Sequence, residues 1–253
     1  MISPNGVLPV DKPRGWTSHD VVAVARGALG TTRIGHGGTL DPLATGVLPL
    51  LLGPATKFAD RLHTASKAYA GLVVFGTETE TDDAEGSATR SADPPSLDAA
   101  ALERMLEEFR GEIAQVPPSY AAVKVRGRHA YARARAGEQF ALAPRRVRIE
   151  RLAVATWDTP LLRLLVVCST GTYIRSIARD LGRAAGSAAH LGGLRRLAVG
   201  GLAAADALTV EDLRRGTPSA LRGLRAADDR ILELEPRLLA DPADSILADW
   251  GLT

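Results

Sequence analysis

Asp41 is the residue whose type and surroundings most clearly could do chemistry, and it lies in the segment Gly35-His36-Gly37-Gly38-Thr39-Leu40-Asp41-Pro42. Three glycines just before it let the backbone approach another group closely. The proline that follows stiffens the aspartate, which favours a positioned carboxylate. A structural role is the alternative, because an aspartate before proline commonly caps a helix whose first residue is that proline. The residues alone leave both interpretations open.

Two further side chains could work with such a carboxylate. Tyr69 lies in an alternating pattern from Lys67 to Gly76 that is typical of a strand, and Arg175 lies in a helical pattern after Gly171. A guanidinium beside a carboxylate can hold it ionised and oriented. Each residue also has an ordinary interpretation, as a strand aromatic and as a surface arginine. Spacing alone does not bring the three together.

The chain offers little for metal or cofactor chemistry. The acidic side chains between residues 78 and 85 lack the ligand spacing of an EF-hand, so we predict a solvated surface loop over 77–95. Cys168 is the only cysteine, which excludes an intrachain disulfide and a cysteine-cluster zinc site. The HExxH, GxxxxGK[ST] and GxSxG motifs are absent from the sequence. We therefore expect neither a cofactor nor a metal.

Basic residues are concentrated in one segment. Residues 124–151 hold nine lysines and arginines and two glutamates, a local charge of +7 in a chain whose formal net charge is +2. His129 and Tyr131 are interleaved with them. Such a cluster in a nearly neutral protein indicates a surface for a polyanion, RNA or DNA. The alternative is a solvated helix face without a partner.

The remaining patterns indicate elements that would position these residues. Strands are predicted at 7–10, 67–76, 148–155 and 161–168. Helices are predicted from a cap at Thr17 or Ser18 to a stop at Gly30, at 97–110 and after Gly171. This mixture lacks a regular βαβ period, which favours an α+β fold with a mainly antiparallel sheet. With 45% apolar residues, no secretory signal and no membrane span in 253 residues, we expect a soluble cytoplasmic protein.

Several segments, in the same order along the chain, closely resemble motifs of the TruB family of tRNA pseudouridine synthases. They are Val10–Ser18, Gly35–Pro49, Lys67-Ala68-Tyr69, Gln115–Pro118, Lys124–Arg135, Gly171–Arg175 and Ala189–Arg196. The block GHGGTLDPLATG is highly specific by itself. The resemblance covers about residues 7 to 200.

The resemblance implies isomerisation of uridine to pseudouridine at position 55 in the T-loop of tRNA, by base flipping. Asp41 aligns with the essential aspartate, Tyr69 with a tyrosine that stacks on the target base, and Arg175 with an arginine paired to the catalytic carboxylate. His36 aligns with a histidine that fills the space left by the flipped nucleotide. Supporting pocket positions align with Lys12, Tyr173 and Leu194, and RNA-gripping positions with Lys124, Arg126 and Arg128.

The family also implies an architecture. We expect the pseudouridine synthase fold, with a mixed, mainly antiparallel central sheet flanked by helices and an inserted basic RNA-binding element at about 118–148. The catalytic domain would span 1–220, followed by a short helical C-terminal tail, 221–253, with the PUA-like domain of bacterial relatives missing or truncated. The expected partner is tRNA, and the expected state is a monomer. The alternative function is a tRNA-binding or RNA-folding protein with secondary or no isomerase activity.

Overall fold

The structure is a computed structural model that describes residues 4–125, 127–216 and 223–249. Its strands are β1 (Gly6–Lys12), β2 (Ile34–His36), β3 (Thr45–Leu52), β4 (Lys67–Phe75), β5 (Thr77–Thr79), β6 (Ala88–Ser91), β7 (Gly111–Gln115), β8 (Lys124–Val125), β9 (Arg128–His129), β10 (Arg145–Asp158), β11 (Leu161–Cys168), β12 (Ala189–Val199), β13 (Leu202–Ala203) and β14 (Leu208–Thr209). Its α-helices are α1 (Ser18–Leu29), α2 (Ala59–Thr64), α3 (Ala99–Glu107), α4 (Ala130–Arg135), α5 (Ile174–Ala184), α6 (Val210–Arg214), α7 (Arg237–Ala240) and α8 (Ala243–Asp249).

The chain divides into two compact units. Unit 1 contains the described residues of 1–70 and 194–241, and unit 2 contains those of 71–193 and 242–251. Strands β4 and β12 each contribute residues to both units. The predicted α+β class and the mixed, mainly antiparallel sheet are confirmed.

Unit 1 is built on a mixed sheet with the strand order β14-β1-β3-β12. Strand β3 pairs antiparallel with β1 and β2 and parallel with β12, where Arg196 lies opposite Gly46. Apolar side chains of β1, β3, α1 and α6 form one buried cluster on this sheet. The beginning of β3, next to the Asp41 segment, is therefore held from both sides.

Helix α1 shows why the sequence folds this way locally. Thr17 caps its N-terminus in a capping box with Asp20, and Gly30 ends it in the left-handed conformation, with φ at 60°. Its buried face carries Val21, Val22, Ala25 and Leu29, as the 3.6-residue period predicts. The predicted cap at Thr17 and the predicted stop at Gly30 are confirmed.

Unit 2 is built on the strand order β4-β11-β10-β7, in which β10 pairs antiparallel with both neighbours. Helices α3 and α8 contact β10. The prediction of a plain loop over 77–95 is wrong, because β5 and β6 form a hairpin there that pairs Thr77 with Ser91. A second short hairpin, β8–β9, lies in the basic segment.

The tail contains short helices, as its pattern predicts: a 3-10 turn at Asp229–Leu232 followed by α7 and α8. The predicted domain boundary near residue 220 falls in 217–222, outside the described residues. Among the helices that the structure describes, none is both long and apolar enough to cross a membrane.

Candidate active site

Asp41 lies in unit 1, in the loop between β2 and β3, and its side chain is half-buried. The amide of Ala44 donates to the Asp41 carbonyl at 3.0 Å, so Asp41 opens a turn rather than a helix. The helix-cap interpretation of this residue is therefore wrong. The preceding Leu40 is buried and exchanges hydrogen bonds with the Ser18 hydroxyl, at 2.9 Å from its amide and 3.3 Å to its carbonyl. The backbone of the turn is thus tied to the start of α1.

Lys12, at the end of β1, fixes the other side of this turn. Its side chain is fully buried, and its ammonium donates to the carbonyls of Pro13 at 3.0 Å, Trp16 at 2.6 Å and Pro42 at 3.4 Å. The amide of Gly15 also donates to the Pro42 carbonyl, at 2.8 Å. Because Pro42 directly follows Asp41, these bonds restrict the backbone that carries the carboxylate. The sequence-predicted role of Lys12 as a supporting residue is consistent with this geometry.

Arg196 on β12 is a site residue that the sequence analysis quoted in a motif but gave no role. Its guanidinium is fully buried and donates to the carbonyls of Val47 at 2.8 Å, Gly38 at 3.1 Å and Thr39 at 3.4 Å. Burial lowers the pKa of this guanidinium, and its charge and hydrogen-bond interaction with the Tyr69 side chain opposes that effect. Arg196 therefore connects the glycine-rich part of the Asp41 loop with Tyr69, a second predicted site residue.

Tyr69 is buried near the start of β4, and hydrogen bonds fix the residues that lead into this strand. The ammonium of the buried Lys67, two residues earlier, donates to the carbonyls of His63 at 2.5 Å and Ala65 at 2.7 Å. These bonds fix the connection between α2 and β4. The Lys-Ala-Tyr motif thus contains one residue that anchors the strand and one that interacts with Arg196.

His36 ends β2. Burial, and then the charges of His19, Arg196 and His63, lower the pKa of its imidazole and so favour its neutral form. Its ring contacts His19 edge to face, with ring centroids 5.8 Å apart. Its Nδ1 is buried without a hydrogen-bond partner among the described residues.

Leu194, another predicted pocket residue, is half-buried, and its carbonyl accepts from the Thr45 hydroxyl at 3.5 Å.

Arg175 and Tyr173 lie in unit 2, at the start of α5. The Arg175 guanidinium is buried and donates to the carbonyls of Thr81 at 3.0 Å and Tyr120 at 3.2 Å, with Asp83 at 3.8 Å. The backbone of Tyr173 exchanges two hydrogen bonds with the Gln115 side chain, at 2.8 Å and 3.0 Å. The predicted pairing of Arg175 with Asp41 stays a prediction.

Three of the five acidic residues between 78 and 85 are buried rather than solvated, which corrects the prediction from composition for these three. Glu78, Asp82 and Asp83 are each less than a tenth exposed, whereas Glu80 and Glu85 are exposed as predicted. The reason is helix α5, which presents arginines four residues apart on one face, at 175, 179 and 183. Their partners are Asp83, Asp82 at 2.7 Å and Glu78 at 2.8 Å, respectively. The spacing of the arginines was the sequence signal for this network.

Two carboxylates of this network differ in their protonation behaviour. Hydrogen bonds from Arg183 and Arg90 lower the pKa of Glu78 to about 2. Burial raises the pKa of Asp82 even though Arg179 lies against it.

Among the described residues, no group of histidine, cysteine and acidic side chains could hold a metal ion.

The basic segment places its cations at the surface. Lys124 and Arg128 are exposed, whereas Arg126 lies outside the described residues. Tyr131 is 38% exposed and stacks on His129, with ring centroids 5.2 Å apart. The charge and the exposed aromatic ring are the features that RNA-binding surfaces combine.

Comparison with known proteins connects these features to a family. Residues 26–174 match the model of the TruB family pseudouridylate synthase N-terminal domain, and residues 175–239 match that of the tRNA pseudouridylate synthase B C-terminal domain. The tRNA pseudouridine synthase B of Streptomyces griseus is 48% identical over 259 residues, which cover 99% of this chain and 81% of the relative. That of Parasynechococcus marenigrum is 44% identical over 252 residues, covering 99% and 84%.

Two solved structures are similar to this chain in fold and sequence. A chain of a Cbf5-Nop10-Gar1 complex matches with a TM-score of 0.68 and 29% identity over 88% of this chain. A chain of an H/ACA RNP bound to a substrate RNA containing 2′-deoxyuridine matches with a TM-score of 0.65 and 27% identity, also over 88%. This chain spans only 60% and 59% of the lengths of those two chains. With one family model matching more than half of its residues, the chain belongs to the TruB family of pseudouridylate synthases, and it is a pseudouridine synthase.

Proposed function

We propose that this pseudouridine synthase acts on tRNA, at uridine 55 of the T-loop, by flipping the nucleotide out of the stack and using Asp41 as its essential carboxylate. The curated relatives are named for tRNA, and the T-loop position follows from the family resemblance. The position and the role of Asp41 are our inference for this chain.

One observation carries the assignment of Asp41: buried donors hold the backbone of its turn on both sides. Arg196 and Ser18 bind the residues before Asp41, and Lys12 binds the carbonyl directly after it. Holding a reacting group in one geometry is a large part of catalysis, because the entropy of orientation is lost on folding and not in the transition state. A capping aspartate would not need this many buried polar side chains around it.

The reaction needs no added group. The N1–C1′ bond breaks, the base rotates, and a C5–C1′ bond forms; the C5 proton leaves and N1 gains a proton, so the product is an isomer of uridine. A carboxylate can serve as nucleophile or base in this sequence.

Access to C1′ requires the nucleotide to leave the stack, at a cost of a few kcal/mol. We propose that the neutral ring of His36 occupies the vacated space, and that the ring of Tyr69 stacks on the flipped base. The lowered pKa of His36 supports this role, because a neutral ring stacks against bases without bringing a buried charge. Arg175 is proposed to hold the carboxylate ionised and oriented.

The exposed cations of the basic segment fit the phosphates of a folded RNA. Helical RNA is recognised mostly through shape and backbone, which suits a charged element without a fixed base-reading geometry. We propose that Lys124, Arg126 and Arg128 contribute to this grip, with affinity that falls as salt rises.

The test is tritium release from unmodified tRNA transcript labelled with [5-³H]uridine. We expect release by the parent protein, a loss of at least about 10³-fold with Asp41→Asn, and no release at the target site when the T-loop uridine is replaced. Asp206→Asn, at an exposed aspartate of the same unit, is the matched control and should release tritium like the parent.

The alternative is an RNA-binding or RNA-folding protein with secondary or no isomerase activity. It predicts salt-dependent tRNA binding without tritium release, or release that Asp41→Asn leaves unchanged. Either result would overturn the proposed role of Asp41. Release that survives replacement of the T-loop uridine would instead overturn the proposed position.

A further inference from the structure

Arg196 contacts the Asp41 loop at both of its ends. Gly38 and Thr39, whose carbonyls accept from the two terminal nitrogens of the guanidinium, precede Asp41; Val47, whose carbonyl accepts from Nε, follows it on β3. A guanidinium has five donors in a rigid planar fork. A single side chain therefore sets the distance between the start of the loop and the strand that ends it.

The electrostatic cost of burying the Arg196 guanidinium indicates that this side chain does more than fill space. A fully buried cation loses its hydration, and the lowered pKa of Arg196 reflects that loss. An apolar side chain would fill the same space on β12 at a lower electrostatic cost. What an apolar side chain lacks is the set of directed donors that fixes three backbone carbonyls at once.

The backbone around Arg196 is also built for close approach. A Cβ on Gly46, the residue opposite Arg196, would lie 2.2 Å from the Arg196 carbonyl oxygen, and Gly46 has φ at 101°. Glycine at this position lets β3 and β12 meet closely enough for the side chain to reach the loop. Gly46 and Arg196 therefore act together: the glycine allows the close approach of the two strands, and the arginine then binds the Asp41 loop.

We propose that Arg196 is a positioning residue for the isomerisation, which clamps both ends of the Asp41 loop and orients the hydroxyl of Tyr69. The inference rests on the proposed function of Asp41. Because arginine only donates hydrogen bonds, the Tyr69 oxygen is the acceptor in their interaction. Arg196 thus couples the carboxylate loop to the tyrosine that would contact the base.

The test compares Arg196→Lys with Arg195→Lys. Lysine keeps the charge but replaces the planar fork, whose three nitrogens reach carbonyls at both ends of the loop, with a single nitrogen. Arg195 is the matched control, because it lies next along β12 but binds Asp11 at 2.7 Å. The single-turnover rate constant of tritium release is measured with enzyme in excess over labelled tRNA. We expect this rate constant to fall at least 30-fold for Arg196→Lys and to stay within threefold of the parent for Arg195→Lys. The Kd for tRNA should stay within threefold of the parent for both variants. The rate constant at saturation does not depend on the fraction of folded enzyme, which a purely structural role would change.

A double-mutant cycle with Tyr69→Phe gives the second readout. We expect the two losses to be less than additive by at least fivefold, since both act on the tyrosine hydroxyl. A rate loss below 30-fold for Arg196→Lys, or fully additive losses, would overturn the inference.

Hydrogen exchange separates this inference from the proposed function. In folded Arg196→Lys, amides of the segment Gly37–Ala44 should exchange at least tenfold faster than in Arg195→Lys, while α1 and β10 remain protected. If the parent releases no tritium, the proposed function fails and this arm still tests the clamp. Unchanged exchange in the loop overturns the clamp even when the parent is active.

Discussion

Unit 1 and unit 2 hold their cationic side chains with different acceptors. In unit 1, Lys12 and Arg196 donate to six backbone carbonyls around the Asp41 loop. In unit 2, Arg179 and Arg183 of α5 pair with the carboxylates of Asp82 and Glu78, while Arg175 donates to two carbonyls and has Asp83 at 3.8 Å. Backbone carbonyls do not titrate, whereas carboxylates gain protons as the pH falls. The loop that carries Asp41 is therefore fixed mainly by contacts that acid does not remove, and the acidic hairpin is fixed in part by ion pairs that acid removes.

The largest change in the free energy of unfolding is expected where β3 and β12 approach each other closely in unit 1. Gly46→Ala should lower the free energy of unfolding by about 3–5 kcal/mol, because the new Cβ would collide with the Arg196 backbone at 2.2 Å and φ is 101°. Urea denaturation measures the change. Gly27→Ala is the control: it lies exposed in α1 with open space around it and should be neutral or stabilising by up to about 1 kcal/mol. Equal effects of the two variants would contradict the close approach.

Breaking the buried ion pair of unit 2 should have the next largest effect. Asp82→Asn keeps a residue type that tolerates the observed φ of 59° but removes the 2.7 Å carboxylate partner of Arg179, which keeps Asp180 at 2.9 Å. We expect a loss of about 3 kcal/mol in the free energy of unfolding, measured by urea denaturation. Glu211→Gln, which breaks an exposed pair with Arg214, should cost less than about 1 kcal/mol. If Asp82→Asn costs no more than this control, the acidic hairpin is not held by its charges.

A smaller effect with a distinct pH dependence is expected at Glu78. Its folded-state pKa of about 2 lies below the ordinary 4.5, so its stabilisation is complete above about pH 4.5 and is lost as the pH falls towards 2. Glu78→Gln should cost about 2 kcal/mol near neutral pH, since its arginine partners are half-exposed, and nothing near pH 2. Urea midpoints of parent and variant across this range give the difference. A difference that stays constant down to pH 2 would contradict the ion-pair origin.

Local patterns made part of this fold predictable. The cap at Thr17, the stop at Gly30 and the alternation in β4 depend on residues within one element, and all three are found in the structure. Composition was misleading for the acidic segment, because the burial of Glu78 depends on Arg183, which lies 105 positions later in the chain. A charged residue is expected to be solvated until its partner is known.

The candidate site likewise contains residues that local sequence identifies and residues that only long-range contacts identify. Asp41 could be identified from the chemistry of its own segment and from the family resemblance, whereas the role of Arg196 depends on carbonyls up to 158 positions away. A buried arginine that binds mainly backbone carbonyls leaves no pattern of complementary residue types in the sequence. The predicted contact between Asp41 and Arg175 depends likewise on long-range geometry and stays a prediction.

Glu138, in the basic segment, has a consequence for how RNA binding should respond to salt. Its carboxylate accepts from Arg128 at 2.7 Å and from Arg133 at 2.8 Å, so two of the nine basic side chains share one carboxylate within the protein. Counterions are released from RNA only by cations that reach phosphates. The number of ions released on binding should therefore be smaller than the count of basic residues, because Glu138 competes with phosphates for Arg128 and Arg133. Glu138 thereby lowers the salt dependence that the composition of this segment alone would predict.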